Sequence, residues 1–168
     1  MRVAKIERDA RIVGDRQLAP PVRAEALRFL IHFVGDVHQP LHDADSGDRG
    51  GNNIRVIIGK RHSNMHAVWD VDVVRALGRN PDEVAARLEH EITPPEKQQW
   101  SGGPPPDWAN EGHRLARDEI YARISGQGGS DGALILTQAY ARQESSAAAT
   151  QLEKAGVRLG AVLNQALR

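Results

Sequence analysis

Two pairs of residues, His32 with Asp36 and His66 with Asp70, repeat one spacing: an imidazole followed four positions later by a carboxylate. On a helix that spacing puts both side chains on one face a turn apart, so each pair can grip a single cation. Between the pairs lies His42, just past Pro40, where a chain leaving a helix can turn a ring sideways into a cleft. Either pair alone reads equally well as a hydrogen bond on a helix surface. Three imidazoles and two carboxylates together tilt the reading towards a metal site.

Each histidine also has a plainer role to weigh. His32 sits among Phe29, Ile31, Phe33 and Val34, which suits a satisfied core histidine. A buried Asp36 beside it would be costly without a cation, and a metal offsets that cost. His38, next to Gln39 and Pro40, suits a hydrogen bond that holds the kink better than it suits ligation. His62, His90 and His113 have no carboxylate at helical spacing that would point inward, so solvated or supporting roles are expected of them.

The chain contains no cysteine, which excludes disulfides and thiolate metal sites and leaves imidazole and carboxylate as the strong ligands. Such a set suits zinc, manganese or ferrous iron. His42, His66 and Asp70 form a two-histidine, one-carboxylate set, which is ambiguous between a zinc hydrolase and a non-haem iron site.

The elements that must position these residues follow from periodicity and punctuation. Apolar residues at helical spacing predict a helix over 3–13, ended near Gly14 and Asp15, and a second over 21–38 that starts on Pro20 and Pro21 and is stopped or kinked by Pro40. The stretch DADSGDRGGNN over 43–53 is turn chemistry and predicts a loop close to something that needs backbone approach. Residues 54–58 are β-branched, and Gly59 with Lys60 can turn them into a small hairpin. Helices are expected over 65–77, capped by Ser63 or Asn64, and over 82–90, announced by Asn80 and Pro81. The segment TPPEKQQWSGGPPPDW reads as a proline-rich surface loop. Two further helical regions, 107–124 and 133–167, flank SGQGGSDG, the second with a break near Ser145. The expected class is all-α with a minor β-hairpin, in one domain over 1–168.

At 168 residues the chain can bury a core of its own. Lys plus Arg and Asp plus Glu balance at 22 each, so no basic field announces duplex binding, and a polyanion would have to be met by a local feature such as a bound cation. No run of about eighteen apolar residues exists, so no membrane span is expected. The opening MRVAKIERDARIV is charged throughout and lacks the apolar core of a signal peptide.

Three words sharpen this reading: ALRFLIHFVGDVHQPLH at 26–42, DRGGNNI at 48–54 and NMHAVWD at 64–70. With looser continuations in DWANEGHRLARDEIY at 107–121 and AGVRLGAVLN at 155–164, they cover most of the chain in order. In these words the sequence resembles the S1/P1 nuclease family, zinc enzymes related in fold to bacterial phospholipase C. The resemblance implies three zinc ions. One is held by His42, His66 and Asp70, while His32 and Asp36 serve a neighbouring pair that Asp36 bridges.

The implied reaction is hydrolysis of phosphodiesters in single-stranded DNA or RNA, releasing 5′-nucleotides, with 3′-nucleotidase activity; single strands suit a pocket that takes a splayed nucleotide. Asn52 resembles a family position near the phosphate, although a turn asparagine at that place is equally expected. Family members also supply zinc ligands from an N-terminal tryptophan and from further His and Asp residues upstream, and this chain has no histidine before His32. The chain is therefore expected to be the C-terminal, larger part of such a domain, with one complete zinc site and no activity alone. Its parent is expected to be periplasmic or secreted. Two rivals stand beside this reading: an HD-domain-like phosphohydrolase, which would use Asp43 next to His42, and a zinc-binding helical module without catalysis.

Overall fold

The N-terminal charges of α1 (Arg2–Gly14) leave one apolar stripe, and Ile6 and Val13 on that stripe are buried. They pack on α2 (Pro20–Asp36), which has two prolines in its first turn and buries Ala26, Leu30, Phe33 and Val34. These are the coordinates of a computed structural model that describes residues 2–125 and 132–168. As Pro40 demands, α2 ends ahead of it, and a single 3-10 turn (Pro40–His42) follows with the Gln39 side chain as its cap.

The loop over 43–53 makes its turns with left-handed backbone at Gly47, Arg49, Gly50 and Gly51. Asp45 Oδ1 accepts from the backbone N–H groups of Asp48 and Arg49, and Asp48 Oδ1 accepts from Gly51 N and from the Tyr121 hydroxyl. The expected hairpin forms from β1 (Arg55–Ile58) and β2 (Arg61–Asn64), with Gly59 at φ 63° in its turn. A third strand, β3 (Leu134–Leu136), pairs with β1 in parallel, Val56 opposite Leu134. The sequence reads 133–167 as helical with a break near Ser145, and its first residues are instead claimed by the open edge of β1.

β2 runs directly into α3 (Met65–Ala67), capped by the Asn64 side chain, and α3 continues into a π-helical turn (Val68–Val73). α4 (Pro81–Glu91) follows its Asn80 cap as expected. The proline-rich segment is not all loop: α5 (Pro94–Trp100) forms behind a capping box in which Thr93 and Glu96 serve each other's backbone, and it buries Trp100. α6 (Pro105–Leu115) leads through a second π turn (Ala116–Tyr121) into α7 (Ala122–Ile124). Most of the SGQGGSDG segment lies outside the described residues.

α8 (Gln138–Ala166) runs without a break through Ser145, whose hydroxyl bonds Arg142 O within the helix. It is shared by two apolar clusters. Ala141 and Ala148 belong to one around the sheet, Met65, Trp69 and Ile120. Leu159, Val162, Leu163 and Ala166 cover the other, formed by α1, α2 and Trp108. The helical class with a small sheet is what the sequence predicts, the sheet having three strands where two were expected. Among the described residues, no helix is long and apolar enough to cross a membrane.

Candidate metal centre

Three segments converge on one half-buried spot: the 3-10 turn with His42, α3 with His66 and the π turn with Asp70. One ligand atom from each lies within 4.8 Å of the other two, and among the described residues this is the one group of three or more His, Asp or Glu residues so placed. Nε2 of His42 stands 3.6 Å from Asp70 Oδ1, and Nε2 of His66 stands 3.5 Å from Asp70 Oδ2. The two rings stack, centroids 4.9 Å apart.

Both imidazoles are held by their other nitrogen. His66 Nδ1 lies 2.8 Å from Gly50 O, and since a carbonyl can only accept, that nitrogen carries the proton. His42 Nδ1 lies 2.9 Å from Asp36 O and 2.7 Å from Asp36 Oδ1, which fixes the same tautomer. Each Nε2 is then the nitrogen free to bind a cation, the arrangement in which a ligating histidine is oriented by a carbonyl or carboxylate behind it.

The Gly-rich loop supplies this geometry. A Cβ on Gly50 would stand 2.3 Å from Leu41 O, and one on Gly51 would crowd Met65 and His66. Only glycine lets the loop lie this close to both the 3-10 turn and the start of α3, and so bring the Gly50 carbonyl to His66. Met65 N donates to Ile54 O and His66 N to Gly51 O, fastening α3 to the same loop. On the far side, Trp69 is buried and its indole N–H donates to the Tyr140 hydroxyl of α8. This anchors the π turn next to Asp70.

The electrostatics of the cluster call for positive charge. Burial opposes an imidazolium at His42, yet the hydrogen bond with Asp36 and the nearby carboxylate of Asp70 outweigh it and lift the ring to about 9. Burial also opposes a charged Asp36, but His42 and Arg2 hold its carboxyl down at about 2. Asp70 is likewise lowered, its burial outweighed by the facing His42 ring and the hydrogen bond from Gln39. A divalent cation would satisfy the same demand at the Nε2 atoms, so the donor set fits a metal ion.

The other expected site residues stand outside this group. Both carboxylate oxygens of Asp36 are engaged, Oδ1 by His42 Nδ1 and Oδ2 by the Arg2 guanidinium, whose Nη1 also donates to His42 O. His32 is exposed on α2 with its ring tilted against Phe33, so it is not the core histidine its neighbours suggested. Asn52 is exposed and donates from its side chain to Arg49 O as a turn asparagine does. Asp43, the ligand an HD-like enzyme would use, does not join the group: its Oδ2 is buried without a partner against Gly112, and burial pushes its carboxyl up to about 7.

His38 performs the structural task expected of it. Nδ1 donates to Val34 O at 2.7 Å, tying the end of α2, and Nε2 accepts from Arg158 Nη1 at 2.9 Å. His113 donates from Nδ1 to Asp43 O, and His62 and His90 are exposed. Sequence reasoning passed over Gln39, whose amide N–H donates to Asp70 Oδ1 at 2.8 Å. The signal for it was its place between His38 and His42 in the HQPLH word.

Fold and site together define a helical domain with a two-histidine, one-carboxylate group that could hold a metal ion. The sequence model of S1/P1 nuclease matches residues 2–168, and the chain belongs to that family. It is 31% identical over 155 residues to endonuclease 2 of Arabidopsis thaliana, covering 84% of this chain and 51% of that protein. Nuclease P1 of Penicillium citrinum is 46% identical over 65 residues, 39% of this chain and 24% of its own. Endonuclease 3 of Arabidopsis thaliana is 42% identical over 82 residues, 48% of this chain and 28% of its own. The matches thus span about half the length of these relatives at most.

Proposed function

We propose that this chain carries the zinc-binding, C-terminal larger part of a nuclease that hydrolyses phosphodiesters of single-stranded DNA or RNA to 5′-nucleotides, with 3′-nucleotidase activity. The observation that carries the reading is the convergence of His42 Nε2, His66 Nε2 and Asp70 with both Nδ1 atoms already committed. Two imidazoles and one carboxylate without sulfur suit zinc and leave coordination positions for water and phosphate. A bound zinc would supply Lewis acidity towards a phosphoryl oxygen and would lower the pKa of a bound water.

The residues of the chain supply the rest. His42 and His66 present their rings edge-on at fixed tautomers, so the ligand atoms are pre-oriented. Asp70 is exposed and so reachable by a substrate approaching from solvent. Asp36 orients His42 from behind, and with His32 it would also serve a neighbouring pair of zinc ions that Asp36 bridges. Among the described residues no third ligand joins His32 and Asp36. We therefore propose that the chain alone holds one zinc of the family's three and does not hydrolyse substrate. Asn52 would contact the phosphate, and the protein would work in the periplasm or outside the cell.

Zinc counting on the purified chain tests this reading, with H42A, H66A and D70N as site variants. One zinc per chain, lost in each variant, is the expected result. A wild-type chain with no bound zinc, or variants that keep it, would sink the site. Digestion of single-stranded DNA by this chain joined to the upstream segment of a relative tests the activity. Absence of zinc-dependent cleavage there would overturn the nuclease reading.

A further inference from the structure

The amide of Gln39 touches two partners, and its orientation is fixed by both. Oε1 accepts from Leu41 N at 2.6 Å, a donor that only an oxygen can face, so Nε2 must point the other way. In that direction lies Asp70 Oδ1 at 2.8 Å, a carboxylate oxygen that can only accept. Gln39 thus links the backbone of the turn that carries His42 to the carboxylate that reaches His66, joining two of the three ligand-bearing segments through one side chain.

The bond is unequal between the two carboxylate oxygens. Each oxygen faces one imidazole, Oδ1 the Nε2 of His42 at 3.6 Å and Oδ2 the Nε2 of His66 at 3.5 Å, but Oδ1 also carries the Gln39 N–H. A donated N–H draws charge from one oxygen and holds the carboxylate plane against rotation. We propose that Gln39 is a positioning residue of the metal centre: it holds Asp70 so that Oδ2 is the ligand oxygen and a coordination position stays open for a substrate phosphate. This rests on the zinc reading above. Without Gln39 the carboxylate is free to turn both oxygens to the ion and close the position that makes a zinc site catalytic.

Two variants test it in the whole chain. Q39M removes both bonds at similar volume; Q39E keeps an acceptor for Leu41 N and replaces only the donor towards Asp70, which preserves the cap and with it the fold. The readouts are zinc affinity by chelator competition, and the visible spectrum of the cobalt-loaded chain with and without inorganic phosphate. The expected results are a zinc affinity about ten- to a hundredfold weaker in Q39M, altered cobalt bands in both variants, and a wild-type response to phosphate that Q39M loses. A variant with wild-type circular dichroism, a zinc affinity within about twofold of wild type and superimposable cobalt spectra would overturn the inference while leaving the zinc site intact. Wild-type protein that takes up no zinc would instead overturn the site itself.

Discussion

At the level of single residues, the site is defined as much by what lies behind the ligands as by the ligands. Gly50 has φ 63°, and any side chain there meets Leu41 O, so G50A must displace the carbonyl that holds His66. We expect G50A to cost about 1–3 kcal/mol in urea unfolding and to weaken zinc binding about ten- to a hundredfold by chelator competition. Burial and the Arg158 cation hold His38 down at about 4, against 6.5 for a free ring. The folded state therefore binds fewer protons than the unfolded chain between those values, and this contribution to stability is present above pH 6.5 and lost as the pH falls through 4. Compared with H38Q, wild-type stability should drop by up to about 3 kcal/mol over that interval and run parallel to it above. The pairing of His66 with Asp70 was legible because imidazole and carboxylate at i and i+4 announce themselves, whereas His32 and Asp36, at the same spacing, do not join the group. The Gln39 amide and the Gly50 carbonyl were not, since a hydrogen bond across 31 residues, as between Gln39 and Asp70, leaves no periodic trace.

At the level of elements, what could be read was what local rules dictate. The caps at Asn64 and Asn80, the prolines that open α2 and α4, and the Gly59 turn were all visible in order. α5 was missed: the prolines around it read as loop, and the capping-box spacing of Thr93 and Glu96 that starts it was passed over. β3 was not legible, since its three residues are strand only through pairing with β1, a tertiary choice that overrides local preference. Nor was the π turn, which places Val68, Trp69 and Val73 in the core and leaves Asp70 out. Of these elements, α3 bears most directly on the site. Removing its cap with N64A, which loses the bond to Ala67 N at 2.8 Å, should cost about 1 kcal/mol and lower zinc affinity through His66. Equilibrium unfolding and chelator competition check the two effects.

For the whole molecule, the two apolar clusters meet along α8, and the group of His42, His66 and Asp70 sits on the one around the sheet. An ion bound there stabilises the folded chain by linkage. At free zinc about a hundredfold above the dissociation constant the gain is about 2.7 kcal/mol, which for a chain of this size raises the melting temperature by about 5–10 °C. Thermal scans with zinc, and with a chelator to reverse it, should show this in wild type and not in D70N. The candidate ligand group and the cluster of α1 and α2 differ in how far the chain must travel to make them. His42, His66 and Asp70 lie in one uninterrupted stretch closed by the loop at Gly50, whereas the α1 and α2 cluster needs the last turns of α8 brought back to the first residues. Closing a short loop costs less entropy than closing nearly the whole chain. Zinc added early in refolding should therefore protect the amides around His66 from exchange before those of α1. Folding and metal loading would then start from the same stretch, with the ends of the chain joining last.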